Sequence, residues 1–70
     1  MNIDEFEIGE IYQCTEKVNP SFDKFIFLGQ DLRIKYMFEI LNVKIYFIEK
    51  NKICYVSDRS HYLVHAQKIK

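Results

Sequence analysis

The clearest pattern in the chain is the run Ile34-Lys35-Tyr36-Met37-Phe38-Glu39-Ile40, where a large apolar or aromatic residue occupies every second position. Successive side chains of a strand point to opposite faces. The run therefore predicts a strand with Ile34, Tyr36, Phe38 and Ile40 toward a core and Lys35, Met37, Glu39 and Leu41 outward. Shorter apolar runs predict further strands at Ile11 to Thr15, Lys24 to Leu28, Lys44 to Glu49 and Lys52 to Ser57. Turn chemistry separates them: Gly9-Glu10 before the first, Gly29-Gln30-Asp31 after the second, Asn42 before the fourth, and Lys50-Asn51 before the fifth. Asn19-Pro20 marks the segment from Lys17 to Ser21 as a connection, because Pro20 drives Asn19 out of the helical region.

Near the end of the chain the period changes. Ser57 and Asp58 are good helix N-caps, and Tyr62, Leu63 and Ala66 fall at helical spacing, which predicts one or two turns from about residue 59 to 66. A closing strand over Gln67 to Lys70 follows that helix; Tyr62, Val64 and Ala66 also alternate, so a strand through His61 to Ala66 stays open as the competing reading. No internal repeat or linker interrupts residues 1–70, which read as a single domain. Five antiparallel strands and one short helical segment predict a mainly β fold, either a small barrel or a strongly bent sheet.

The opening Phe6-x-Ile8-Gly9-Glu10-x-Tyr12-x-Cys14, an apolar-Gly-acid lead into an alternating strand, resembles the first strand of SH3-like barrels of the KOW and Tudor sort. That resemblance implies a barrel whose aromatic residues serve recognition.

Composition adds the partner question. The chain has 70 residues, ten basic and ten acidic, and a pI near 6.7, so no charge excess advertises a polyanionic partner. Apolar residues make up 49% with a single Ala, which excludes a disordered tail. No uninterrupted apolar run exceeds four residues, against the roughly 20 of a membrane helix, so no membrane association is expected. The N-terminus is acidic where a secretory leader is basic, which predicts a cytoplasmic protein with Cys14 and Cys54 as free thiols. A core of this size supplies only about 3–5 kcal/mol. Ten Ile, six Phe, five Tyr, four Leu and four Val nevertheless exceed what a small barrel covers, so an apolar patch is expected on the surface.

On the strand assignment above, Met37 and Leu41 belong to that patch, with Tyr46 opposite Phe47 and Tyr55 opposite Val56 as further surface anchors. Phe, Ile, Lys, Asn and Tyr fill 33 positions while Ala, Gly, Pro and Arg fill 6, a bias toward AT-rich codons. In this the chain resembles the small accessory proteins of AT-rich bacteriophages. The expected function is a non-enzymatic protein-binding module: a phage-encoded modulator or inhibitor of a host protein, acting in the host cytoplasm, itself a candidate homodimer.

The alternative is a nucleic-acid-associated barrel using Lys35, Lys44, Lys50 and Lys52, since such barrels back aromatic residues with basic ones. Seven acids, among them Glu10, Glu39 and Glu49, share the same small surface and weigh against it. His61 and His65 stand four apart, at chelating separation on a helix, with Cys14 and Cys54 as third and fourth zinc ligands. No paired Cys-x2-Cys accompanies them, and no metal or cofactor is expected. Cys54, His61 and Asp58 nominally supply a nucleophile, base and acid. Without a nucleophile-elbow or phosphate-cradling glycine pattern they do not predict an enzyme.

Overall fold

The computed structural model describes residues 1–17, 22–36 and 39–69, with backbone alone over 31–36 and at 39. Its elements are β1 (Ile11–Cys14), β2 (Lys24–Tyr36), β3 (Glu39–Phe47), β4 (Lys52–Val56), α1 (His61–Val64) and β5 (Ala66–Lys68), preceded by a 3-10 turn at Ile3–Glu5. All pairings are antiparallel, in one open sheet of order β4-β3-β2-β1-β5. The mainly β expectation holds: five antiparallel strands form one unclosed sheet, with one short helix near the C-terminus. The sheet does not close into a barrel, because β4 and β5 are its edges.

The apolar spacing of β1 and β3 puts Tyr12, Cys14, Val43, Ile45 and Phe47 on one face, and all five are buried. Phe25 and Phe27 of β2, Leu63 of α1, Ala66 of β5 and Phe6 of the N-terminal segment complete the core. The Phe6 ring lies 4.6 Å from Tyr12 and 5.2 Å from Phe27, while Phe22 and Tyr62 meet Phe47 edge-on at 5.0 and 5.3 Å. Tyr12 is wholly buried, and its hydroxyl accepts the Glu7 amide at 2.7 Å, so its polar tip is satisfied.

Two sequence expectations fail where β2 meets β3. Gly29-Gln30-Asp31 is no turn, and it lies inside the long strand β2. Gly29 adopts φ +103°, and the register with β3 shifts between Phe27 and Gly29 and again between Gln30 and Ile34. Such extra residues bend a strand without ending it, so glycine serves an irregularity here rather than a reversal. Nor do Ile34 to Ile40 form one strand. Tyr36 pairs with Glu39 and Ile34 with Leu41, so the chain has already reversed, and Asn42 lies within β3 rather than in a turn.

The assigned faces change as a consequence. Ile40, expected in the core, is 47% exposed, whereas Leu41, expected outside, is half-buried and shares the parity of Val43, Ile45 and Phe47. With Tyr36 paired to Glu39, the core-facing set moves on by one position from β2 to β3, which an unbroken alternation cannot reveal. Met37 and Phe38 lie outside the described residues, as does the Asn19-Pro20 loop.

At the other end of the chain the helix is a single turn, shorter than the expected 59 to 66, and Ser60 caps it in place of Ser57 or Asp58. The Ser60 hydroxyl accepts the Tyr62 amide at 3.3 Å. Ser57 instead accepts the Arg59 amide at 3.1 Å in the preceding turn. The β4 hairpin turns through Asn51 at φ 49°, a left-handed position that asparagine tolerates.

Candidate functional site

Burying one face of the sheet leaves the other to solvent, and its composition is unusual. Directly opposed residues share a face, and the registers align Ile11 with Ile26, Ile26 with Tyr46, and Tyr46 with Ile53. An apolar row thus crosses four strands on the side away from the core. Its ends are open, Ile11 being 37% and Ile53 50% exposed, while Ile26 and Tyr46 are half-buried by their neighbours. The Tyr46 hydroxyl is held by the Asn51 side chain, which fixes the ring on this face. Beside the row, Tyr55 pairs with Lys44, whose ammonium lies 6.0 Å from the ring centroid. Ile8, 74% exposed, approaches Gly29 so closely that a Cβ there would stand 3.2 Å from its Cδ1.

Tyr55 also borders an open cleft of about 570 Å³ lined by Leu41, Val56, Ser57, Arg59, Ser60 and His61. The cleft joins an apolar floor from β3 and β4 to hydroxyl, guanidinium and imidazole groups from the segment leading into α1. Of the four residues expected to bind a partner, Leu41 and Tyr55 come together in the cleft, and Tyr46 lies apart in the row. Met37 lies outside the described residues. Sequence reasoning missed Ile11, Ile26 and Ile53, because their alignment depends on strand order and register, which no local pattern carries.

Among the described residues, the lysines expected to contact nucleic acid do not form one track. Lys44 is on the outward face, whereas Lys52 pairs with the buried Phe47, at a position of the core face. The Lys50 ammonium stands 5.5 Å from the Phe22 ring, and the side chain of Lys35 is not among those described.

The zinc set is likewise dispersed. His65 Nε2 meets Glu16 Oε1 at 2.9 Å, His61 stacks on Tyr62 at 4.5 Å, and the Cys14 thiol donates to the His61 carbonyl at 3.7 Å. Among the described residues no three His, Cys, Asp or Glu side chains converge. Cys14 is buried, Cys54 is half-buried, and both are free thiols. Burial pushes the Tyr62 phenol above its ordinary pKa, and the nearby Cys14 and Cys54 thiols act in the same direction.

Comparison with known proteins adds no relative: no family model, curated protein or solved structure matches the chain.

Proposed function

We propose that this chain is a non-enzymatic protein-binding module whose recognition surface is the outward face of the sheet. One observation carries the reading: the in-register row Ile11, Ile26, Tyr46 and Ile53, apolar across four strands on the face that the core does not use. A small domain spends large side chains on solvent at a cost in solubility, so such a row fits a surface that is covered in use. Tyr55 extends it toward the cleft, where Arg59 and His61 supply a polar rim. The AT-rich composition supports a bacteriophage source, and with it a modulator or inhibitor of a host protein acting in the host cytoplasm. Among the described residues, Lys44 and Lys52 lie on opposite faces of the sheet, which favours the protein-binding reading over a continuous phosphate track.

The test is capture from bacterial lysate by tagged wild-type protein and by Ile26→Lys and Ile53→Glu variants, each first shown folded by circular dichroism. The expected result is a stoichiometric protein retained by the wild type and lost from both variants. Capture that ignores both substitutions would overturn the reading. So would binding to single-stranded DNA or RNA that weakens steeply with added salt.

A further inference from the structure

The open cleft at the end of β4 has two unlike walls. Leu41 of β3 and Val56 of β4, both half-buried, make an apolar side, and the segment after β4 brings Ser57, Arg59, Ser60 and His61 to the other, around a volume of about 570 Å³. Small-molecule sites combine these ingredients: an apolar floor, a few polar groups that converge on it, and roughly 300–1,000 Å³ of space.

The polar groups here are donors. Arg59 carries N–H groups only, and His61 keeps at least one ring N–H in either protonation state. The Ser57 hydroxyl accepts the Arg59 amide at 3.1 Å, and the Ser60 hydroxyl accepts the Tyr62 amide at 3.3 Å. An oxygen engaged in this way turns its own proton elsewhere, so each hydroxyl has one bond left to donate. The turn that carries them is closed by the Ser60 amide on the Ser57 carbonyl at 2.9 Å, which keeps both hydroxyls and Arg59 on one short loop. Among the described residues no carboxylate lines the cleft. Asp58, between Ser57 and Arg59 in sequence, is exposed and stands outside the lining. Donors gathered beside an apolar wall, with no counter-charge of their own, fit an anionic ligand with an apolar body.

We infer that the cleft binds a small organic acid, its carboxylate on Arg59 and the serine hydroxyls and its apolar body against Leu41 and Val56. Charge selects the carboxylate. A phosphate monoester carries nearly two negative charges at neutral pH, against the single fixed positive charge of Arg59 among the lining residues. A carboxylate carries one, and its two oxygens match the planar fork of a guanidinium. The site goes beyond the apolar row: Ile26, which carries that row, takes no part in the cleft, so the two readings fail separately.

The test is an NMR titration of the full chain with sodium hexanoate, beside acetate, hexanamide and a sodium chloride control. Hexanoate should shift the amide resonances of residues 57 to 61 along a saturable curve, with a dissociation constant of about 1 mM. Hexanamide, which lacks the charge, should not. Acetate, four methylenes shorter, should bind about tenfold or more weakly, since each methylene against the apolar wall contributes about twofold to fourfold. Arg59→Gln, shown folded by circular dichroism, should weaken hexanoate about tenfold or more, and Ile26→Lys should leave it unchanged. The proposal is overturned if hexanoate gives no saturable shift up to about 50 mM, if chloride or hexanamide reproduces its shifts, or if folded Arg59→Gln binds it as well as wild type. A peptide ending in leucine that binds far more tightly than hexanoate, and only with a free C-terminal carboxylate, would overturn the small-molecule source and assign the cleft to a chain terminus. If Arg59→Gln does not fold, the comparison of hexanoate, acetate and hexanamide on wild type decides alone.

Discussion

Gly29 has two constraints at once, a φ of +103° that side chains with a Cβ rarely adopt and the Ile8 side chain 3.2 Å from where a Cβ would stand. Ile8 is exposed and can move, so the backbone strain is what remains, and Gly29→Ala should cost about 1–3 kcal/mol. Gly9, at φ +89° with open space around it, isolates the strain component alone. Urea midpoints of the two alanine variants should therefore lie close together, and a Gly29→Ala protein as stable as wild type would mean that the irregularity in β2 is misplaced. Tyr62 gives a second prediction, with its sign set by linkage. Its phenol has a raised pKa in the folded state, chiefly through burial, so the folded protein holds that proton more tightly than the unfolded chain does. The contribution is fully present below the ordinary pKa of 10.0 and is lost as pH rises through the folded value. Tyr62→Phe should flatten the fall in stability above about pH 10, read from urea melts across alkaline pH.

Among the elements, β1 and the Lys50-Asn51 reversal are legible from residue pattern alone, since Tyr12 and Cys14 alternate with polar or exposed neighbours and Asn51 accepts a left-handed φ. The β2–β3 hairpin is not. Gly29-Gln30-Asp31 has the composition of a turn, yet a glycine at positive φ serves an extra residue inside a strand equally well, and only the partner strand distinguishes the two. The alternation from Ile34 to Ile40 runs straight through a reversal, and the pairing of Tyr36 with Glu39 shows that Leu41, not Ile40, continues the core-facing set. This difference can be measured. Ile40→Lys should change stability by no more than about 0.5 kcal/mol, whereas Leu41→Lys should cost about 1–2 kcal/mol by taking a half-buried apolar group from the cleft floor. The helix was legible as a cap followed by a short periodic stretch, but three serine or aspartate candidates within four residues leave its start to tertiary contacts. Ser60 wins because Leu63, three residues on, is the side chain that reaches the core.

At the scale of the whole molecule, a Cα radius of gyration of 11.1 Å is what a fully compact chain of this length has, roughly 11 Å. Every element must then serve one core, and the aromatic rings show how. Phe47 of β3 touches Phe22 from the segment before β2, Phe25 of β2 and Tyr62 of α1, and so joins the sheet to the helix that covers its inner face. Truncation of a buried Phe to Ala costs about 3–5 kcal/mol, as much as the whole stability expected for a chain of this size. Phe47→Ala should therefore lose its folded circular dichroism and its cooperative melt, and Phe47→Leu, which keeps most of the volume, should retain both at a lower melting temperature. Ile53→Glu changes a residue of similar hydrophobicity on the opposite face, where no core atom depends on it, and its melt should stay within a few degrees of wild type. The contrast tests the two-faced sheet as a unit. A folded Phe47→Ala protein would mean that α1 and β5 hold the sheet without the aromatic bridge. An Ile53→Glu protein that melts would mean that the outward row is itself part of the folding core.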